Sequence, residues 1–391
     1  MRVLAVGSMY PPHDLGGGYE ITWRSSVDHL RARGDQVRVL TTDFRLDGDV
    51  GADAADVHRE LRWYWHDHEF PRLGPRAFIA LERHNAAVLD RHLQEFRPDA
   101  VCWWAMGGMS LGMVEQVRMA GVPAVGVVGD EWMVWAPKLD RARRSRLSRA
   151  VARAAGLPRG PDLGQAALWL FNSEHTRRSA LNAGWDLPRT RVVHPGVDQV
   201  LFTEAPPRPE WSWRLLYLGR LDPRKGVHVA IEALRGLPPE ASLTLQGGGG
   251  DAAYIAELRA QAEGLNVEFS TAPRAELPRV YAAADAVVFP VQWHEPWGLV
   301  PLEAMAVGRP VVATGTGGSG EYLRHEENCL IYEPAESAVA LARAVERLAS
   351  DRGLRERLRA AGLATAAPFT EDAYNQAIAS ALEEVAGSPA R

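Results

Sequence analysis

The sequence has 391 residues, of which 46% are hydrophobic and 24% charged, and its formal net charge is −5. This balance is typical of a globular protein of two or three domains, and it excludes an intrinsically disordered chain and a generally basic nucleic-acid binder. No apolar run approaches the roughly 18 residues of a membrane-spanning helix, and the two cysteines, Cys102 and Cys329, predict a reduced, cytoplasmic protein without disulfides.

Short apolar runs alternate with longer helical patterns, which predicts repeated βαβ units and mostly parallel sheets. In the first half, strands are predicted at Arg2–Val6, Gln36–Thr42, Ala100–Trp104, Ala124–Val128, Leu168–Asn172 and Arg191–His194. Gly16-Gly17-Gly18 lies between the first strand and a helix predicted from about Tyr19 to Arg33. Backbone N–H groups at such a turn can face an anion. The alternative is an ordinary tight turn, which has the same sequence pattern in any α/β protein.

Residues 136–160 contain eight basic side chains and a single acid, Asp140. The apolar residues among them line one face of a helix, so the segment predicts an amphipathic basic helix. Its arginine face is either solvated or in weak contact with an anionic membrane surface through residues 138–159. The second alternative would place a cytoplasmic protein peripherally at the inner face of the membrane.

The βαβ alternation starts again after the proline cluster Pro206-Pro207-Arg208-Pro209, which is predicted to be a linker between two similar lobes. New strands are predicted at Arg214–Leu218, Ser242–Gln246, Val267–Ser270, Ala286–Pro290, Pro310–Ala313 and Cys329–Ile331, and a helix at Glu371–Val385. We therefore predict two doubly wound, Rossmann-like lobes at residues 1–205 and 206–370. In residues 371–391 the predicted helix would pack back on the first lobe.

The turn after the first strand of the second lobe, Gly219 to Gly226, contains Arg220 and Lys225. An arginine fork and a lysine point charge this close together can bind one diphosphate. Lys138 and Lys225 are the two lysines of the sequence against forty-two arginines, which favours a specific need for the ammonium group at Lys225. Ordinary surface charges on a loop are the alternative.

The segment His294 to Met305 contains two acids eight positions apart, Glu295 and Glu303. Pro296 and Gly298 favour a turn, and a helix is predicted to begin near Pro301. The amides of Gly298, Leu299 and Val300 would then be donors for sugar or phosphate oxygens, while the carboxylates accept hydrogen bonds from vicinal hydroxyls. A hydrolytic acid/base pair is the alternative for two such carboxylates.

Together these motifs resemble the retaining glycosyltransferases of family 4, which have the GT-B fold with two lobes facing across a cleft. In the second lobe the resemblance rests on G-R-x4-K-G at Gly219–Gly226, E-x7-E at Glu295 and Glu303, and Gly317-Gly318 followed by Glu321. In the first lobe it rests on Pro11-Pro12 before Gly17-Gly18, Arg33-Gly34, Asn172-Ser173-Glu174 and His194-Pro195-Gly196-Val197-Asp198.

The resemblance implies transfer of a hexose from a UDP- or GDP-linked sugar to an unidentified lipid, glycan or small metabolite, with retention at the anomeric carbon. It implies that the leaving phosphate takes the acceptor proton, so that neither a protein nucleophile, a metal nor a cofactor is required. The implied diphosphate-binding residues are Gly17, Gly18, Arg220 and Lys225, with Gly219 as a donor-binding residue of the same motif. Gly247 and Arg274 are implied near the base, Glu303 at the ribose, and Glu295 at the hexose, together with the backbone amides of Trp297, Gly298, Leu299 and Val300. Arg220, Lys225 and Glu295 are the implied catalytic residues among them.

Gly129 stands where members of this family often carry a histidine, and the neighbouring Asp130 either takes over its polar contact as a catalytic residue or caps a helix. Asp47-Gly48-Asp49 is formally a metal–diphosphate motif but is typical of a solvated turn. The histidines His58, His66, His68 and His84 have no regular metal-ligand spacing.

Two other functions stay open at this point. One is a nucleotide-sugar epimerase on the same fold, and the other is a sugar-nucleotide-binding protein without catalysis. A phosphorylase is nearly excluded, because it would usually need a pyridoxal lysine and the sequence offers only Lys138 and Lys225.

Overall fold

The computed structural model describes residues 1–14, 17–46, 51–64, 73–139 and 162–387. The chain divides into two compact units, of which the first contains Met1–His194 and Asn375–Arg391 and the second Pro195–Tyr374. Asp47-Gly48-Asp49, His66, His68 and residues 140–159 of the basic segment lie outside the described residues.

The first unit is a parallel sheet whose described strands have the order β3-β2-β1-β4-β5-β6-β7. The strands are β1 Arg2–Val6, β2 Gln36–Thr42, β3 Val57–Leu61, β4 Ala100–Trp103, β5 Ala124–Val128, β6 Leu168–Phe171 and β7 Thr190–Val192. The helices are α1 Gly18–Ala32, α2 Pro75–Phe96, α3 Gly112–Met119, α4 Trp132–Leu139, α5 Leu163–Ala166 and α6 Glu174–Asn182. Because β1, β4, β5 and β6 are almost wholly buried, their sequences are continuous apolar runs rather than alternating ones.

The second unit repeats this topology with the order β10-β9-β8-β11-β12-β13, again with parallel pairs. The strands are β8 Arg214–Leu218, β9 Ser242–Gln246, β10 Asn266–Ser270, β11 Ala286–Phe289, β12 Val311–Ala313 and β13 Leu330–Ile331. The helices are α7 Val227–Ala233, α8 Ala252–Gln261, α9 Leu277–Ala283, α10 Leu299–Ala306, α11 Ala338–Ser350 and α12 Arg352–Ala366, and a last helix, α13 Glu371–Gly387, begins in this unit and continues in the first. The predicted class of two doubly wound α/β domains is thereby confirmed.

The strand order of the second unit reverses between β8 and β11. Open parallel sheets bind their ligands at the carboxyl ends of the strands beside such a reversal. The loops that leave β8 and β11 there contain Lys225 and Glu295 respectively. The topology thus puts the predicted cations and acids on one edge of one sheet.

The boundary between the units differs from the predicted division at residues 205 and 206. It falls at His194 and Pro195, because the next segment packs into the core of the second unit. Val197 and Phe202 are each 2% exposed in that core, and the Ala205 N–H donates to the Val307 carbonyl at 3.2 Å. The proline cluster is therefore part of the second unit and not a linker.

The last helix, α13, belongs from Asn375 onward to the first unit. Ser26 on α1 donates a hydrogen bond of 2.6 Å to the Asn375 side chain, and Arg191 pairs with Glu384 at 2.6 Å. The strand β3 was not predicted, because its sequence Val57-His58-Arg59-Glu60-Leu61 is mostly polar. Among the described residues, no helix combines the length and apolar character needed to cross a membrane.

Candidate active site

The loop after β8 carries the predicted diphosphate-binding residues Arg220 and Lys225. Asp222 caps the 3₁₀ turn that contains Lys225, since its side chain accepts a hydrogen bond of 2.9 Å from the Arg224 N–H. The same carboxylate pairs with the Arg224 guanidinium at 2.7 Å. Within the described part of the chain the Arg220 guanidinium has no hydrogen-bond partner, so it can bind an anion without breaking an existing bond.

Gly226 fixes this loop against the segment that follows β11. Its φ is 69°, and a Cβ atom there would overlap the Pro290 carbonyl oxygen. Only glycine combines that backbone conformation with such a close approach. The Gln292 N–H donates to the Arg224 carbonyl at 2.7 Å, which ties the two loops together a second time.

Lys225 and Glu295 meet where these loops touch. The Lys225 ammonium lies 2.6 Å from Glu295 Oε2, and the Trp293 indole N–H donates to the same oxygen at 2.9 Å. The Lys225 nitrogen is also 5.2 Å from the centre of the Trp293 ring. Because the Lys225 and Glu295 side chains are only 18% and 12% exposed, water screens this ion pair less than it would on the surface.

The backbone around Glu295 is held by the glycine pair after β12. The Gly318 N–H donates to the Glu295 carbonyl at 2.7 Å, and Gly317 pairs with Glu295 as an isolated parallel bridge. Gly317 has a φ of 67°, and a Cβ atom there would overlap the backbone of Glu295. The predicted Gly317-Gly318 motif therefore positions the acid.

The amide donors predicted at Gly298, Leu299 and Val300 lie at the start of α10. Gly298 precedes the helix with a φ of 85°, and the helix begins at Leu299, two residues before the predicted start at Pro301. The first N–H groups of a helix have no partner within it and lie at the positive end of its dipole. They are thus suited to oxygens that carry negative charge.

Trp297 was predicted to contribute its backbone amide to the hexose site, and its side chain packs in the core. The residue is 3% exposed, and its indole N–H donates to the Pro195 carbonyl at 2.9 Å. Its ring lies 4.9 Å from that of Tyr322 and 5.3 Å from that of Phe369. A ligand can therefore use only the backbone of Trp297.

Glu303 lies on α10 and is 5% exposed. Its Oε2 accepts a hydrogen bond of 2.7 Å from the Tyr281 hydroxyl, while Arg274 lies 3.6 Å from Oε1 and 3.5 Å from Glu371. Burial raises the pKa of Glu303 to about 7, although Arg274 and the Tyr281 hydrogen bond oppose that rise. Arg274 thus reaches the predicted ribose-binding acid.

Glu295 and Glu303 share one neighbour, Tyr322. Burial, and then the negative charges of both carboxylates, raise the pKa of Tyr322 well above its ordinary value. The Tyr322 hydroxyl donates to the Gly298 carbonyl at 2.5 Å, between the two acids in sequence. The eight-residue spacing therefore places both carboxylates within electrostatic reach of one tyrosine.

Gly219 and Gly247 follow β8 and β9 and allow the two loops to approach closely. A Cβ atom on Gly247 would overlap the Gly219 carbonyl oxygen. The Gly219 N–H donates to the Gln246 carbonyl at 3.0 Å, and the Gly247 N–H to the Ser270 carbonyl at 2.8 Å. Side chains are therefore excluded at this point, so the backbone itself lines the edge of the sheet.

In the first unit, Gly17 is the N-cap of α1, and Gly18 is the first residue of that helix. Asp130 follows β5, and its Oδ1 accepts a hydrogen bond of 3.0 Å from the Trp132 N–H at the start of α4. Burial raises the pKa of Asp130 to about 6, with the hydrogen bond opposing the shift. Asp130 thus makes a capping contact and also titrates near neutral pH.

Gly129 has a local reason to lack a side chain. A Cβ atom there would lie 2.6 Å from the Tyr19 ring, whose hydroxyl donates to the Val127 carbonyl. The Gly129 carbonyl accepts a hydrogen bond of 2.9 Å from Asn172. The aromatic ring of Tyr19 therefore occupies the space that a side chain at this position would need.

A group of potential metal ligands lies elsewhere in the first unit, at His58, Glu60 and His92. His92 Nε2 lies 3.3 Å and His58 Nδ1 3.4 Å from the Glu60 carboxylate. Arg91 already pairs with this carboxylate, and Arg38 lies 3.2 Å from His92 Nδ1. Because two guanidinium groups contact it, we interpret the group as a hydrogen-bond network between β2, β3 and α2.

Three aromatic residues of the site were not predicted from the sequence: Trp293, Tyr281 and Tyr322. Trp293 had a usable signal, because it stands two positions before Glu295 and alternate residues of an extended segment share a side. Tyr281 and Tyr322 had none, since they reach Glu303 and Gly298 only through the tertiary fold.

Known proteins resemble both units. Residues 16–200 match the family described as glycosyltransferase family 4, and residues 202–365 the family described as glycosyl transferases group 1. A D-inositol 3-phosphate glycosyltransferase of Xylanimonas cellulosilytica is 33% identical over 228 residues, 53% of this chain and 54% of that protein. A glycogen synthase of Mycobacterium tuberculosis is 34% identical over 183 residues, 44% of this chain and 43% of that protein. The chain thus spans about half the length of the curated relatives it matches.

The solved structure of Anabaena HepE in complex with UDP-glucose has the same fold. It is 23% identical, with a TM-score of 0.72 over 98% of this chain and 100% of that one. Such similarity identifies the GT-B fold and confirms the fold predicted from the motifs. With two adjacent family matches on that fold, the chain belongs to family 4 of the glycosyltransferases, group 1.

Proposed function

We propose that the protein transfers a hexose from a nucleotide diphosphate sugar to an acceptor hydroxyl with retention of the anomeric configuration. The observation that carries the proposal is the contact of Lys225 with Glu295, because it puts a phosphate-binding cation directly beside a hydroxyl-binding acid. A sugar joined to a diphosphate carries both phosphate oxygens for the cation and hydroxyls for the acid. Family membership supports glycosyl transfer as the reaction type.

Each side chain has a distinct task in this proposal. Arg220 and Lys225 stabilise the negative charge that grows on the departing diphosphate, and the amides at the start of α10 add oriented dipoles. Glu295 accepts hydrogen bonds from the hexose hydroxyls, and Glu303 accepts those of the ribose. Gly247 and Arg274 would lie near the base, and Gly219 belongs to the loop that binds the diphosphate.

The reaction itself needs no protein nucleophile. The bond from the anomeric carbon to the diphosphate oxygen breaks, and the bond to the acceptor oxygen forms on the same face of the sugar. The acceptor proton passes to the departing phosphate oxygen, so charge and atoms balance without a metal or a cofactor. Positioned cations and amides supply the stabilisation that this step requires.

In the first unit, we assign Gly17 and Gly18 to the diphosphate and Asp130 to the acceptor or hexose. Gly17 and Gly18 stand at the positive end of the α1 dipole. Asp130, with its pKa raised to about 6 by burial, can accept a hydrogen bond from a hydroxyl at neutral pH. UDP-glucose is the first donor to test, because it is the ligand of the solved HepE structure.

The test is a panel of UDP- and GDP-linked hexoses, first for thermal stabilisation and then for slow donor hydrolysis. The donor that stabilises the protein should be hydrolysed with retention, which NMR of the first-formed sugar anomer detects. Inositol phosphates, lipids and glycans then serve as candidate acceptors. Epimerised donor would instead indicate an epimerase, and binding without any turnover would indicate a binding protein; either result contradicts the proposal.

A further inference from the structure

A cavity lies in the second unit, at the edge of its sheet opposite to the loops that carry Lys225 and Glu295. It has a volume of about 480 Å³ and is lined by the segment around Arg208, by Arg309 just before β12, and by residues of α12. In a parallel sheet all amino-terminal ends share one edge, so residues that precede a strand lie away from loops that follow one. The cavity is therefore distinct from the edge that carries Lys225 and Glu295.

Arg309 is the unusual residue of this cavity. It is only 4% exposed, and its Nε atom is buried without a hydrogen-bond partner. The Pro206 carbonyl, 2.7 Å from Nη2, is the only acceptor of its guanidinium group among the described residues. No carboxylate of the described chain lies within 4.0 Å of it. A buried cation that has only a carbonyl as partner is energetically costly.

The neighbouring charges increase this cost. Burial, and then the positive charges of Arg359 and Arg208, lower the pKa of Arg309 to about 10. The Arg359 guanidinium donates hydrogen bonds mainly to backbone carbonyls, to that of Gly308 at 2.5 Å and to that of Ala205 at 2.6 Å. Three guanidinium groups thus converge on one side of the cavity.

The nearby carboxylates are already engaged. Asp285 accepts hydrogen bonds from Arg208 at 2.5 Å and from the backbone N–H groups of Ser212 and Arg214, both at 2.9 Å. Glu204, which pairs with Arg359 at 2.7 Å, is 60% exposed, so water weakens its effect. Asp285 offsets the positive charge of Arg309 only in part, and Glu204, Glu210 and Glu356 also line the cavity. None of these four carboxylates lies within 4.0 Å of the Arg309 guanidinium, so an external anion can pair with it directly.

The dimensions and walls of the cavity indicate the kind of anion. Its volume is within the range of small-molecule sites, and Trp211, Pro207 and Pro310 give it apolar walls. Guanidinium groups pair well with phosphate oxygens, and a dianion offsets more than one positive charge. We propose that this cavity binds a small phosphorylated metabolite, whose phosphate group pairs with Arg309. This site is independent of the proposed transfer reaction.

The test compares inorganic phosphate and glucose 6-phosphate on the wild-type protein, Arg309→Met, Arg309→Lys and Arg220→Ala. Calorimetry should show binding to the wild-type and Arg220→Ala proteins that weakens at least tenfold in Arg309→Met and less in Arg309→Lys. Binding that is lost in Arg220→Ala and kept in Arg309→Met would assign the phosphate to the loop after β8 and overturn the proposal. The proposal is also overturned if none of the four proteins binds either compound.

Thermal unfolding separates binding from a merely structural role. In phosphate-free buffer Arg309→Met should melt at or above the wild-type temperature, because it removes an uncompensated buried charge. In about 20 mM phosphate, a concentration suited to weak ligands, only the wild-type protein should be stabilised. Its melting temperature should then exceed that of Arg309→Met. If the melting temperature of Arg309→Met is below that of the wild type by the same amount in both buffers, the proposal is contradicted. Arg309→Lys shows whether a retained positive charge restores the stabilisation by phosphate.

Discussion

Lys225 and Glu295 are 70 positions apart in sequence and form an ion pair of 2.6 Å. An ammonium group has three N–H donors, and Glu295 is the one hydrogen-bond acceptor that Lys225 has among the described side chains. The remaining donors can therefore face phosphate oxygens while the contact with the acid is kept. In the proposed function, this geometry would couple recognition of the diphosphate to recognition of the sugar.

Loss of any one of the three charged side chains of the proposed donor site should reduce the rate of transfer. We expect Lys225→Ala, Arg220→Ala and Glu295→Ala each to lower kcat/KM at least tenfold, and of the order of a hundredfold where a transition-state contact is removed. Steady-state rates with the best donor of the panel measure this effect. Arg343→Ala, an exposed charge on α11, is the control and should retain the wild-type rate. Near-normal rates in all three site variants would refute the site assignment.

The indole N–H of Trp293 should matter separately from its ring. Trp293→Phe keeps an aromatic ring near Lys225 but removes the hydrogen bond of 2.9 Å to Glu295. We therefore expect a loss of about tenfold to a hundredfold in kcat/KM, as for one hydrogen bond to a charged group. Trp211→Phe is the matched control, because the Trp211 indole N–H is buried without a partner. Equal losses in both variants would show that the Trp293 contact is irrelevant to transfer.

Glu303 should make stability depend on pH. Burial raises its pKa in the folded state from 4.5 to about 7, so the folded protein retains a proton that the unfolded chain releases. Stability is therefore highest below the unfolded pKa and falls as the pH rises through about 7. Relative to Glu303→Gln, the wild-type protein should lose up to about 3 kcal/mol between pH 4 and pH 8.

Urea unfolding of both proteins across that range measures the difference. Glu346→Gln, on the exposed face of α11, controls for the general loss of one negative charge and should parallel the wild type. Donor affinity should instead rise as the pH rises through about 7, because the ionised Glu303 is the better acceptor for ribose hydroxyls. A wild-type curve parallel to that of Glu303→Gln would mean that Glu303 does not titrate in this range.

Gly226 should be intolerant of a side chain. Gly226→Ala adds a Cβ atom that overlaps the Pro290 carbonyl, and its φ of 69° is unfavourable for alanine. We expect a loss of about 2 kcal/mol or more in unfolding free energy, and weaker donor binding, since the loop that holds Lys225 must move. Gly264→Ala is a close control, because Gly264 has a φ of 76° with open space around it. Its cost should be limited to about 1 kcal/mol and should leave donor binding unchanged.

The sequence predicted the residue types of the site better than their contacts. Glu295, Glu303, Arg220 and Lys225 could be found because each stands at a fixed spacing in a short motif. The pairing of Lys225 with Glu295 could not, since it depends on two loops that meet only after β8 and β11 lie side by side. Local spacing carries no information on such contacts.

The fold shows the same division between local and tertiary information. Buried strands such as β5 were found from their apolar runs, whereas β3 was missed because only Leu61 of its five residues is buried. The domain boundary was misplaced because Pro206 to Pro209 resemble a linker locally. Burial of Val197 and Phe202 in the second core decides the boundary, and no local pattern reveals it.

The partly buried Lys225 ammonium also offers a chemical handle. Because the sequence contains one other lysine, Lys138, an amine-directed acylating reagent has very few targets on this protein. The contact with Glu295 partly covers the Lys225 ammonium, and a diphosphate bound over it would shield it further from the reagent. Intact-mass spectrometry after brief acylation would therefore report occupancy of the donor site without a radiolabel, a coupled enzyme or knowledge of the acceptor.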